Sequence, residues 1–170
     1  MNWEEIAAIG QVLGSIGVFI SIAYLAMQTR TGAVATKHAS QNAFISDYGA
    51  FLGAVTQPEV VKTYARVMVE DFREMDGLAQ HQIHAGYITQ YYFSLNVWVQ
   101  MNRGQFEPRI GEPLIAYFAT ALKTRGGMTW WAMQTNIDSG FRRHIDSLIG
   151  DPSVPSLDEL QPWWRKIATE

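Results

Sequence analysis

His81 and His84 are the two side chains of this chain best spaced for chemistry. Three residues apart on a helix, two imidazoles share one face, and such a pair can contribute to a metal site in a four-helix bundle. A site of that kind also needs carboxylates that project inward from several helices. The nearest preceding acids are Asp71, Glu74 and Asp76, and no acidic residue lies between Leu78 and Arg103. The pair therefore reads as a solvated helix start, with no metal and no cofactor expected. The other histidines, His38 and His144 beside Asp146, read as exposed side chains. The sequence has no cysteine and no Gly-x-Ser-x-Gly elbow for a nucleophile. Gly126-Gly127 lacks the lysine and the strand context of a phosphate loop. No catalytic residue is assigned, and the chain is read as a non-enzyme.

Contact chemistry is better represented. There are six tryptophans, seven tyrosines and eight phenylalanines in 170 residues. Two tryptophan pairs stand out, Trp130-Trp131 and Trp163-Trp164. Neighbours on a helix point about 100° apart, so one ring of each pair can be core while the other is exposed. The first pair reads as ordinary packing. The second continues into Arg165-Lys166, and tryptophan with two cations suits lipid headgroups or a protein partner.

The element that positions everything else is the segment Ile6–Met27. Its 22 residues carry no formal charge. As a helix it spans roughly 33 Å, close to the ~30 Å hydrocarbon core of a bilayer. A secretory signal would begin with a basic region and have a shorter apolar core, whereas Met1–Glu5 is acidic. A buried helix would show a polar stripe, but the only intruders are Gln11, Ser15 and Ser21. The segment therefore reads as a transmembrane helix, with Trp3 and Tyr24 as interface anchors. Basic residues near its ends fall on one side only, at Arg30 and Lys37. The positive-inside rule then puts the N-terminus outside and the C-terminal domain in the cytoplasm. Gly10, Gly14, Gly17 and Ser21 recur on one face at steps of four, three and four, with Gln11 beside them. Small residues so spaced let helix backbones approach closely in lipid, and Gln11 can hydrogen-bond across the pair.

The remainder reads as helices. No proline lies before Pro58, so the span can continue as one rod into Ser40–Val55, with Gly32 as its weak point. Apolar spacing in that stretch uses Ala43, Phe44, Tyr48, Phe51, Leu52 and Val55. Pro58 opens a helix over Pro58–Phe72. Asp76 caps the longest soluble helix, Leu78–Asn102, whose apolar positions wrap around it, and Gly104 ends it. Helices follow over Glu112–Lys123 and Met128–Asn136, separated by a break at Gly126-Gly127. Ser139 is expected to cap Gly140–Ile149. Asp151–Pro155 reads as an extended linker, and Ser156 with Glu159 forms a capping box for the final segment. No alternating strand pattern appears. The fold class expected is all-α: one N-terminal transmembrane helix, then a small bundle. Residues 1–28 form the tail and span, 29–150 the bundle, and 151–170 the linker and tryptophan-rich end. A net charge of −3 gives no basic footprint for a nucleic-acid partner.

Asn2-Trp3-Glu4, the glycine-rich span and Tyr24–Arg30 resemble a family of uncharacterised bacterial single-span membrane proteins. The similarity continues at Gln57-Pro58-Glu59-Val60, Gly104–Glu107, Trp130-Trp131 and Phe141–Asp146. Gln57 departs from the acidic turn residue usual there, which affects only a cap. The resemblance implies a membrane-anchored helical domain in the bacterial inner membrane and carries over no catalytic residue. The function expected is a non-enzymatic accessory or scaffold subunit. It would associate with a membrane protein complex, or with a second copy, through the transmembrane helix. A membrane-tethered sensor with an aromatic ligand pocket is the second reading, and a metal-dependent or hydrolytic enzyme the third.

Overall fold

Gly32 does not end the first helix. In the computed structural model, which describes residues 2–169, α1 runs unbroken over Trp3–Val55. The side chains of Glu5, Lys37, His38, Ser40, Phe44, Asp47 and Thr169 lie outside the described residues. Those of Lys37, His38 and Phe44 singled out above therefore receive no structural account. A mid-helix glycine costs about 1 kcal/mol, which a helix of this length absorbs. The chain divides into two units, Met1–Phe44 and Ile45–Glu170. The passage from the apolar segment to the bundle therefore lies within one continuous helix.

The first unit is α1 up to Phe44. Every described side chain from Asn2 to Thr36 is exposed. Its hydroxyls close onto their own helix, Ser15 to the Gln11 carbonyl and Ser21 to the Gly17 carbonyl, both at 2.8 Å. Backbone groups and hydroxyls are thus satisfied within the helix, as a lipid surrounding requires. The helix is long and apolar enough to cross a membrane.

The second unit is a helical bundle without strands among the described residues. It contains the end of α1 and α2 (Pro58–Ala65), α3 (Gly77–Asn102), α4 (Pro108–Leu122), α5 (Arg125–Met133), α6 (Ser139–Gly150), α7 (Leu157–Leu160) and α8 (Trp163–Thr169). The central α3 buries Ile83, Tyr87, Tyr91 and Val97. Against it lie Ile115, Phe118 and Leu122 of α4, Trp130 of α5, and Phe141 and Ile145 of α6, each at 0% exposure.

Four local expectations change. The helix from Pro58 stops at Ala65 and tightens into two 3-10 turns, Arg66–Met68 and Phe72–Glu74. Arg66 holds this corner, with a two-point bond to Glu70 at 2.9 Å and a third to Asp76 at 2.7 Å. α4 begins at Pro108, a proline at the first helical turn, rather than at Glu112. Gly126 and Gly127 do not break the chain; they form the first turn of α5 behind a Thr124 cap. A Cβ on Gly126 would lie 3.0 Å from the Glu70 carbonyl oxygen, and one on Gly127 2.7 Å from that of Ala121. Only glycine allows α5 to start so close to its neighbours. Finally, Asp138 rather than Ser139 caps α6, accepting from the Phe141 amide at 2.8 Å. The Asp76 cap, the positive φ of Gly104 at 68° and the Ser156–Glu159 capping box are as expected.

The corner at residues 66–76 sets an acid limit. The Arg73 guanidinium holds the Asp71 carboxyl well below the usual range, and Arg66 lowers Asp76. A carboxyl depressed in the folded state contributes stability above its unfolded pKa of about 3.9 and loses it as pH falls through the folded value. Circular dichroism melts should therefore give a Tm that is level from about pH 7 to 5 and falls below about pH 4. Asp76→Asn keeps a capping side chain but removes the titration, so its acid decline should be shallower. An unchanged slope would show that this ion pair carries no acid sensitivity.

Candidate functional site

Two regions could carry function, and they lie in different units. In the first, Gly10, Gly14, Gly17 and Ser21 fall on one face of α1. A Cβ added at any of the three glycines meets nothing within 4 Å. The face is open to whatever approaches it. Gln11, Trp3, Tyr24 and Arg30 are exposed on the same helix. Gln11 makes no side-chain hydrogen bond to the described residues, so its carboxamide is available to a neighbour.

In the second unit, a partly open cavity of about 220 Å³ lies among the end of α1, α2, α3, α4 and the C-terminal helices. Tyr48, Tyr64, Tyr87, Tyr117, Gln90 and Trp164 supply its aromatic and polar wall. Tyr48 is fixed by stacking on Phe93, with ring centroids 4.3 Å apart. Tyr64 lies over Gly86, where a Cβ would sit 1.2 Å from its hydroxyl oxygen. Two hydroxyls are committed to the backbone: Tyr64 donates to the Gln82 carbonyl at 3.3 Å and Tyr87 to that of Ala121 at 3.2 Å. Burial pushes the Tyr64 hydroxyl up to about 12. Tyr48 is also pushed up to about 12, first by burial and then by the nearby Tyr117. These phenols stay neutral at physiological pH. Among the described residues, no Asp, Glu, Lys, Arg or His lines the cavity.

The two tryptophan pairs divide differently from each other. Trp130 and Trp131 are both buried, at 0% and 3% exposure. Each indole N–H finds a partner, Trp130 at His84 Nδ1 (3.1 Å) and Trp131 at Asp146 Oδ1 (2.7 Å), so neither ring need face water. Arg142 lies 5.1 Å above Trp131, within cation–π range. His84 is thus a hydrogen-bond acceptor for the core, and Asp146 serves Trp131 rather than His144. His144 Nε2 lies 3.8 Å from Glu112. No group of three or more metal-ligating side chains occurs among the described residues.

The C-terminal set Trp163-Trp164-Arg165-Lys166 does not form one patch. Trp163 is 54% exposed, while Trp164 lines the cavity and Arg165 pairs with Asp158. Lys166 is exposed. The segment Asp151–Pro155 is held as well, since the Lys123 ammonium donates to the Asp151 carbonyl at 2.9 Å and to that of Val154 at 2.5 Å. This clasp brings Leu157, Gln161 and Trp164 to the cavity wall.

Gln90 is the residue that sequence reading passed over. It lies on the buried stripe of α3 with Ile83, Tyr87 and Val97, a polar side chain at a core register position. That placement, three residues after Tyr87 and seven before Val97, was the available signal. Comparison with protein-family models, with curated proteins and with solved structures finds no match.

Proposed function

We propose that this chain is a non-enzymatic, membrane-anchored accessory or scaffold subunit. Its residues 6–27 would cross the bilayer and associate there with a second copy or with a membrane protein complex. The observation that carries the reading is the first unit itself. It presents 22 uncharged residues in one unbroken helix, with every described side chain from Asn2 to Thr36 exposed. Water would not tolerate so much uncovered apolar surface, whereas a bilayer supplies the cover. The open Gly10/Gly14/Gly17/Ser21 face then gives the span a second use. With no Cβ in the way, a neighbouring helix can approach closely enough for backbone-to-backbone contact. Gln11, unpartnered within its own helix, favours an association that gives its carboxamide a partner.

Arg30 and Lys37 on the C-terminal side favour an N-outside orientation in the bacterial inner membrane, with the helical bundle in the cytoplasm. The resemblance to bacterial single-span proteins fits that placement.

Gly14→Leu tests the association directly. The substitution fills the face without adding polarity, so insertion should be unchanged. Association between fluorescently labelled copies in lipid, or copurification of the partner complex in mild detergent, should weaken about tenfold. Unchanged association in both measurements would overturn the small-residue contact. A clean monomer from several mild detergents, with no copurifying chain, would overturn the accessory reading as a whole.

A further inference from the structure

The cavity of the second unit contains uncommitted polar groups that packing alone does not explain. Gln90 is 8% exposed and lines the cavity. Its carboxamide makes no hydrogen bond to the described residues, and it is absent from the buried polar atoms sealed away from all solvent. The exposure it retains is therefore toward the cavity. A carboxamide this buried, with no protein partner and its remaining access through the cavity, is placed to bond whatever occupies that space. Tyr48 and Tyr117 line the same space close to each other, and neither hydroxyl makes a hydrogen bond among the described residues. Tyr64 and Tyr87, in contrast, are spent on backbone carbonyls. The wall thus sorts into phenols that hold the fold and a carboxamide with two phenols left for something else.

We propose that this cavity binds an uncharged, largely apolar molecule of one or two rings whose single hydroxyl or carbonyl pairs with Gln90. The size follows from the volume. An apolar cavity of about 150 Å³ accepts benzene, and about 220 Å³ accommodates a second ring or a short substituent. The neutrality follows from the described lining, whose residues offer no counter-ion to a charged ligand. The flat shape follows from the rings of Tyr48, Tyr117 and Trp164, against which another ring can stack. This site does not depend on how the span associates.

The test uses the full chain in phosphatidylcholine nanodiscs. Three probes are titrated by calorimetry with empty-disc heats subtracted: 1-naphthol, naphthalene and 1-naphthoate. 1-Naphthol should bind saturably at one site per chain. Naphthalene, lacking the hydroxyl, should bind about tenfold more weakly, the loss of one hydrogen bond to a buried group. The charged naphthoate should show no saturable heat. Gln90→Leu should bring naphthol down to the affinity of naphthalene. It should also raise the Tm of the ligand-free protein by about 3 °C, since the unpartnered carboxamide is gone. That opposition between binding and stability separates a ligand-facing residue from one that merely packs. A melt of each variant confirms that it is folded. Naphthol heats no greater than those of empty discs would overturn the site. Equal naphthol affinity in wild type and Gln90→Leu would overturn the role of Gln90, and so would a lower Tm in that variant.

Discussion

Replacing Trp130 by alanine should lower the stability of the bundle by about 4 kcal/mol, the range for deleting a large buried aromatic side chain. Trp130 is fully buried. Its ring lies 4.9 Å from that of Tyr87 and 6.3 Å from that of Trp131, so its removal leaves a void between α3 and α5. Its indole N–H also donates to His84, and the deletion removes that bond. A Tm lower by roughly 12 °C is expected from this loss. Trp130→Phe keeps most of the ring and loses the donor, so it should cost less than half as much. His84→Ala removes the acceptor without making a void and should cost about 1 kcal/mol. Thermal or urea melts of the three variants rank the contributions. A Trp130→Ala variant within 1 kcal/mol of wild type would mean that the two tryptophans are not both core.

Gly127→Ala is the second change with a large expected effect, although it adds only a methyl group. The new Cβ would meet the Ala121 and Leu122 carbonyl oxygens at 2.7 and 2.8 Å and the Thr124 hydroxyl at 2.7 Å. Two of those three atoms are backbone and cannot swing away. The third is the cap of α5, which accepts from the Gly127 amide at 3.1 Å. Overpacking costs about 1–3 kcal/mol and loss of a cap about 1 kcal/mol. A total near 3 kcal/mol is expected, measurable by urea denaturation. Gly150→Ala, where a Cβ meets nothing, serves as the control and should be near neutral or stabilising.

These two residues also show how far the chain could be read from its letters. The long apolar helix, the Asp76 and Ser156 caps and the Gly104 terminus were legible because each is a local device whose partners lie within four residues. Gly126-Gly127 reads locally as a break, since nothing nearby reveals that Val67 and Glu70 will press against it. Trp130-Trp131 reads as packing, but what satisfies both indoles is hidden for the same reason. Its acceptors, His84 and Asp146, lie 46 and 15 residues away. The turn after Ala65 escaped notice because a three-way ion pair on Arg66 outweighs an apolar spacing that would continue a helix. In the cavity, the aromatic content was visible but its sorting was not. Which tyrosine is committed, and that Gln90 is uncommitted, depends on contacts between helices.

The Lys123 clasp sets a timescale as well as a geometry. Beyond it lie α7 and α8, of four and seven residues, too short to be stable on their own. The clasp fixes the segment that leads into them, and α8 then packs on α2 and the Arg66–Met68 turn, so this stretch depends on its neighbours rather than on its own helices. It also carries Leu157, Gln161 and Trp164, one wall of the cavity. Because the cavity is partly open, a molecule inside could leave without full release of this strap, and any local opening of the strap would shorten its residence time further.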